Sequence, residues 1–418
     1  MDEKLKQLIE QEMKGSFHFF WDNTNTDPSS KGYGLILGTD KHPDRSSIAS
    51  VGYGLAAIVI GVERGYITFE EGYHRVLTSL ESIFHNIDKS HGFYVHFIRM
   101  STAETMGKDK GRPSEYSTID TAIFLMGVLA VKEYFKQDVE SISDKLLQEA
   151  DWEYLVKDHD TKPVFRMAFG KERYKTEDGF NKASWDHYAE QLMMYILYAG
   201  QKDCDPKLAK KLYDSFHRPT GSYRGKPYVH CFNNALFVHQ FSHLFIDFDT
   251  YVDESGFSWF NNSIAATLAN KQWCNDNPQY NTFKQGYWGL TASHCKRGYC
   301  VVGGPPWGNE HVKDHMPKID GTVAPYASLS SIMFTPKESL EQLQKFALDN
   351  KMWGPYGLYD SFNFEEEPWY SNSYIGIDKG PTLLALDNYL HQTVLTLVTN
   401  SDYVQRALQR LKFHRKGE

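Results

Sequence analysis

The 418-residue sequence predicts an all-α fold, an (α/α)6 toroid with short peripheral β-strands and long rim loops, spanning 1–418 as a single domain. Three observations carry that prediction. Apolar segments with helix caps follow one another from end to end, without the βαβ alternation of a parallel sheet. Several are apolar on every side, as helices are when wrapped by others. No Pro/Ser-rich or charge-run linker divides the chain, and no period of 20 to 50 residues marks a solenoid.

In chain order, the first segment runs from Lys4 to Asp22 and ends in the aromatic run FHFFW. SSIASVGYGLAAIVIGVERG (46–65) has serine caps, an apolar body and Gly65 as a stop. In 68–86, Thr68 followed by Glu71 forms a capping-box pattern. Helices are then expected at 117–135, 140–156, 184–201, 206–216, 233–247, 258–275, 322–333, 337–350, 381–400 and 402–412. The stretches 217–232, 276–321 and 351–380 are rich in Gly, Trp, Tyr, Asn and His, which reads as ordered rim loops.

Composition narrows the function. Aromatic residues reach 15%, a density suited to stacking flat hydroxylated ligands such as sugar rings, and equally to an ordinary core. The net charge of −8 argues against nucleic acid or an anionic membrane as partner. No apolar run reaches the roughly 18 residues of a membrane span. The charged opening MDEKLKQLIEQEMKG lacks a signal-peptide core, so a cytoplasmic protein is expected. Five cysteines, Cys204, Cys231, Cys274, Cys295 and Cys300, form no regular framework and suit a reducing compartment.

Common chemistries fall away. GYGLAA (52–57) follows no buried strand, which argues against a dinucleotide site, and GxxxxGK[ST] and GxSxG are absent. HVKDH (311–315) with His294, Cys295 and Cys300 fixes no shared ligand face, so neither metal nor cofactor is expected. What remains is a set of carboxylates among aromatics. Glu190 stands in SWDHYAEQLMMYILYAGQ, where positions 190, 193, 194 and 197 would share a helix face with Met193, Met194 and Leu197. It could simply end a helix there, solvated or bonded to amides. Asp120 and Asp320 stand where N-capping would explain them, and Glu115 lies just outside the 117–135 helix. Asp247 and Asp249 close a helix, while Asp360 and Asp378 fall in glycine-punctuated loops near Trp353, Trp369 and Tyr374.

Glycoside hydrolysis needs two such carboxyls, one protonated for the leaving oxygen and one ionised to activate water. An apolar setting raises a carboxyl pKa, which makes Glu190 the expected acid. Asp378, beside Lys379 and Gly380, is expected to stay ionised as the base.

RSSIASVGYGLAAIVIGVERGYIT, GFYVHF, EYSTIDTAIFLMGVLAVKEYF, YWGLTAS, DGTVAPYASLSSIMFTPKESL, YGLYDSFN and IDKGP…LDNY together resemble the glucoamylase-like family of (α/α)6 barrels, which includes endo-β-1,2-glucanases of glycoside hydrolase family 144. The resemblance runs from about Phe17 to about Val398. It implies an inverting hydrolase of β-glucan or β-glucooligosaccharide, most simply β-1,2-linked, with Glu190 as general acid and Asp378 as base. Asp120, Glu115, Asp360, Arg45, Trp288, Asp320, Trp369 and Tyr374 are the implied substrate-binding positions. The segment STIDTA departs from the glutamate common at Asp120 in that family, which leaves the linkage open. A sugar-binding protein without catalysis, or a transglycosylase or phosphorylase in the same pocket, remain alternatives. The expected assembly is a monomer or weak homo-oligomer.

Overall fold

The computed structural model describes residues 3–158, 161–307 and 316–417. Among the described residues, six outer-to-inner helical pairs follow one another round a ring. The inner members are Ile48–Glu63, Thr118–Phe135, Leu192–Gly200, the two 3-10 turns Leu236–His239 and Phe241–Leu244, Pro325–Ser330 and Gly376–Leu390. The outer members are Glu3–Asp22, Phe69–Asn86, Gln137–Glu149, Pro206–Ser215, Trp259–Asn275 and Pro336–Phe346. The ring closes where Gly376–Leu390 packs on Ile48–Glu63. Thr393–Thr399 and Asp402–Arg410 cover the far end, packing on the first inner helices and on Leu192–Gly200.

Sequence dictates this layering. Ile48–Glu63 and Thr118–Phe135 are buried almost throughout, whereas Phe69–Asn86 buries only the stripe Gly72, Val76, Ser79, Leu80 and Ile83. The first two inner helices approach closely at two glycines. A Cβ on Gly52 would stand 2.4 Å from the Ile123 carbonyl oxygen, and one on Gly127 only 2.1 Å from that of Gly52. Thr68 and Glu71 form the expected capping box, each side chain bonding the other's backbone amide. Among the described residues the sheets are two-stranded and lie between helices, and no helix is long and apolar enough to cross a membrane.

Several expected elements differ. The segment 184–201 is helical only from Leu192. Ser184 pairs instead with Arg166, and His187 with His217, so these residues spend their backbone groups on bridges. Expected helix 233–247 breaks into two 3-10 turns. There Phe237 donates its amide to Thr291 Oγ1, and Gln240 Nε2 donates to the Ala327 carbonyl 2.7 Å away. Expected helix 381–400 begins five residues earlier, at Gly376, and is interrupted at Gln392, whose φ is 57°. Pro381 therefore lies inside the helix rather than opening it. The expectation of reduced cysteines is corrected at one place. Cys295 and Cys300 are joined by a disulfide across the hairpin Ala292–Cys295/Gly298–Val301, while Cys204, Cys231 and Cys274 are free and buried.

Candidate active site

The amino ends of the inner helices converge on one rim, where Ile119, Asp120, Ile123, Glu190, Phe237, Phe241, Ala292, Tyr299, Tyr326, Ile377 and Asp378 line a cavity of about 180 Å³. Helix amino ends carry partial positive charge, which favours an ionised group among them.

Glu190 stands in the turn just before helix Leu192–Gly200, not on its face. Its neighbours in the cavity wall are Ile119, Ile123, Phe237 and Phe241 rather than Met193 and Met194. The turn is held from both sides. Gln191 accepts the Ala189 amide at 2.7 Å and donates to the His187 carbonyl at 2.7 Å. Ser242 accepts the Met193 amide and donates to the Glu190 carbonyl at 2.9 Å, so a neighbouring element supplies the cap. Burial, with the charge of Asp120 added, pushes the Glu190 carboxyl up to about 7.

Asp120 is both a capping partner and a cavity residue. Ser117 accepts its amide and donates to its Oδ2 at 2.5 Å. His96 bridges it to Glu115, with Nε2 3.6 Å from Asp120 Oδ2 and Nδ1 3.2 Å from Glu115 Oε1. Burial opposes a charge on His96, but the two carboxylates outweigh it and raise its pKa. Burial likewise works to raise the Glu115 pKa, and the His96 hydrogen bond and charge, helped by Arg173 at 3.5 Å, bring it below the usual range.

Asp378 corrects the expectation most sharply. It lies in the first turn of helix Gly376–Leu390, 2% exposed, and not in a flexible loop. Burial, and then the adjacent carboxyl of Asp360, hold its pKa well above the carboxylate range, so an isolated ionised base is not what the fold provides. A hydrogen bond from Tyr326 and the charge of Lys379 offset this only in part, the Lys379 Nζ lying 2.6 Å from Glu12 Oε1 on the outer side. Asp360 is buried beneath, its Oδ2 accepting the His294 amide at 2.7 Å, while the Ser361 hydroxyl donates to the His294 carbonyl at 2.6 Å.

The remaining expected positions scatter. Arg45 stands on the strand Arg45–Ser47, half-buried, with its guanidinium over the Phe97 ring beside the His96 cluster. Trp288 is fully buried and Tyr374 packs among Phe19, Tyr356 and Tyr359, both outside the cavity lining. Asp320 accepts the Thr322 amide and faces Arg297, and Trp369 pairs in a hairpin with Asn363; neither lines the cavity. Asp247 accepts amides of Asp249 and Thr250, a turn role. HVKDH lies outside the described residues, and among those described no group of His, Cys, Asp and Glu could hold a metal.

Sequence reasoning passed over His96, Tyr326, Tyr299 and Tyr53. The hydroxyl of Tyr53 is buried without a partner among the described residues, and the charges of Asp378, Asp120 and Glu190 add to burial in raising its pKa. The one available signal was that GFYVHF and DGTVAPYASL were already singled out as motifs.

Residues 182–402, just over half of the chain, match the family model Glycoamylase, described as "putative glucoamylase". The chain belongs to the Glycoamylase family. The matched segment holds Glu190, Asp360 and Asp378. A Bacteroides uniformis crystal structure of the same description superposes at TM-score 0.85 with 26% identity, covering 100% of this chain and 99% of that one. The endo-β-1,2-glucanase of Chitinophaga pinensis shares the Glycoamylase fold at TM-score 0.83 and 24% identity, covering 98% of both chains. The exo β-1,2-glucooligosaccharide sophorohydrolase (non-reducing end) of Parabacteroides distasonis is 24% identical over 97% of this chain. The chain spans 58% of that relative's length.

Proposed function

We propose that this chain is an inverting glycoside hydrolase of β-linked glucooligosaccharides, most simply β-1,2-linked, acting as one (α/α)6 domain over 1–418. The observation that carries it is a carboxyl held near neutrality, Glu190, in an aromatic-walled cavity that a second carboxyl, Asp378, also lines. Glu190 donates its proton to the leaving glycosidic oxygen. A water on the opposite ring face attacks the anomeric carbon and loses its proton toward Asp378. Inversion needs the two carboxyls about 6.5 to 9.5 Å apart, room for that water.

The substrate class is supported by the activities named for the Parabacteroides and Chitinophaga relatives. Pockets for drug-sized ligands start at about 300 Å³. At about 180 Å³ the described cavity suits a single ring at the cleavage point rather than a chain. Phe237, Phe241, Tyr299 and Tyr326 supply its apolar and stacking walls. His96 holds Asp120 and Glu115 as acceptors for sugar hydroxyls.

The test is product analysis on β-1,2-, β-1,3-, β-1,4- and α-linked glucooligosaccharides, with wild type and Glu190→Gln. Release from a β-linked series, lost in Glu190→Gln, is expected. Binding without release by the wild type would make this a sugar-binding protein, and release only with phosphate would make it a phosphorylase.

A further inference from the structure

Among the described residues, two buried oxygen atoms under the cavity have no hydrogen-bond partner, Asp360 Oδ1 and Asp378 Oδ2. They belong to neighbouring carboxyls. The other oxygen of Asp360 accepts the His294 amide at 2.7 Å, with His294 Nδ1 3.2 Å away. The Asp360 side chain is 0% exposed. Two buried carboxylates cannot stand side by side with both free oxygens ionised and unpaired. One proton between them satisfies both atoms at once.

We infer that Asp360 and Asp378 share a single proton, so that the pair, and not Asp378 alone, receives the proton of the attacking water. This rests on the hydrolase proposed above. Asp360 is a positioning residue, because it is buried and outside the cavity lining. The resting pair carries one negative charge, with the proton on Asp378 Oδ2 donated to Asp360 Oδ1. When water attacks, its O–H bond breaks as its oxygen bonds the anomeric carbon. That proton goes to the other oxygen of Asp378, while the proton on Oδ2 passes to Asp360. Meanwhile the bond from the anomeric carbon to the leaving oxygen breaks, and that oxygen takes the Glu190 proton. Both carboxyls of the pair end neutral, Glu190 ends ionised, and the charge balances.

The surroundings fit a pair of net charge −1. Facing Asp378 are Tyr326, Tyr53 and Tyr299, which stay neutral, and Lys379, which Glu12 neutralises. Facing Asp360 is His294, whose Nδ1 also meets the Ser373 hydroxyl at 3.1 Å. Burial raises the Asp378 carboxyl pKa and the charge of Asp360 raises it further, the direction expected of the proton-carrying member.

Asp360→Asn separates this from burial alone. The amide oxygen can still accept the His294 amide, and its NH2 then donates to Asp378 Oδ2, which becomes ionised. The readout is infrared difference spectroscopy at pH 7 on protein carrying 13C in its aspartate carboxyls, without substrate. A protonated-aspartate band present in wild type and absent from Asp360→Asn is expected. A band retained in Asp360→Asn would overturn the shared proton, since burial would then suffice. Should that variant not fold, Asp360→Ser serves, which likewise removes the second carboxyl, with loss of the band expected and its retention overturning the inference. Because no sugar enters this measurement, it stands or falls apart from the hydrolase proposal. In turnover, Asp360→Asn is expected to lower kcat by about 10²-fold or more with KM little changed. It is also expected to move the acidic limb of the kcat profile to higher pH, because an amide holds ionised Asp378 less well than a shared proton does; an unmoved limb would reduce Asp360 to a structural role.

Discussion

Lys379 Nζ sits 2.6 Å from Glu12 Oε1, tying the inner helix Gly376–Leu390 to the first outer helix. The pair is almost wholly buried, and Glu12 Oε2 also accepts the Leu358 amide at 2.7 Å. The lysine that the sequence sets beside Asp378 therefore points away from the cavity. Asp378 faces Asp360, the charge of Lys379 lowers its pKa only in part, and the chemistry of the site turns on that.

Removing one partner leaves a buried charge uncompensated, at a cost of about 3–5 kcal/mol. Glu12→Gln is therefore expected to lower unfolding free energy by that order in urea titrations. A loss within about 0.5 kcal/mol, typical of surface changes, would show that the pair is not buried as described.

Glu190 should govern pH behaviour. Its carboxyl stays protonated in the fold up to about 7, against an ordinary value of 4.5. Between those values the folded chain binds more protons than the unfolded one, so this contribution is fully present below about 4.5 and is lost as pH rises through about 7. Glu190→Gln removes it. The variant's Tm relative to wild type is expected to rise from about pH 5 to about pH 8, and a constant difference would contradict the raised pKa. In wild type, kcat/KM is expected to fall on the alkaline side of about 7 as the proton donor is lost.

Ser242→Ala tests how the acid is held. The Met193 amide and Glu190 carbonyl both bond that hydroxyl. Losing it is expected to cost about 1–3 kcal/mol of stability. A fall in kcat should accompany this as the Glu190 turn loosens. Unchanged kcat and stability would show that Gln191 holds the turn alone.

How much of this was legible follows from where each signal lies. Helices such as Phe69–Asn86 and Thr118–Phe135 were readable because caps and apolar periodicity are local. The start of Leu192–Gly200 was not, because Ser184 and His187 pair with residues far along the chain and Ser242 supplies the cap. Glu190 and Asp120 could be singled out as carboxylates in apolar segments, and Asp378 as one in a glycine-punctuated stretch. The state of Asp378 could not, since its neighbour in sequence is Lys379 but its neighbour in space is Asp360. Trp288, Asp320, Trp369 and Tyr374 were read from motif positions, and packing places them outside the cavity lining.

The central claim is that Glu190 and the Asp378 pair act from opposite faces of one sugar ring. Proton NMR of the first product released from a β-1,2-linked glucooligosaccharide, recorded before mutarotation, tests it most directly. The α-anomer appearing first is the result expected of a water delivered opposite Glu190. The β-anomer first, or a glycosyl adduct on Asp378, would contradict it.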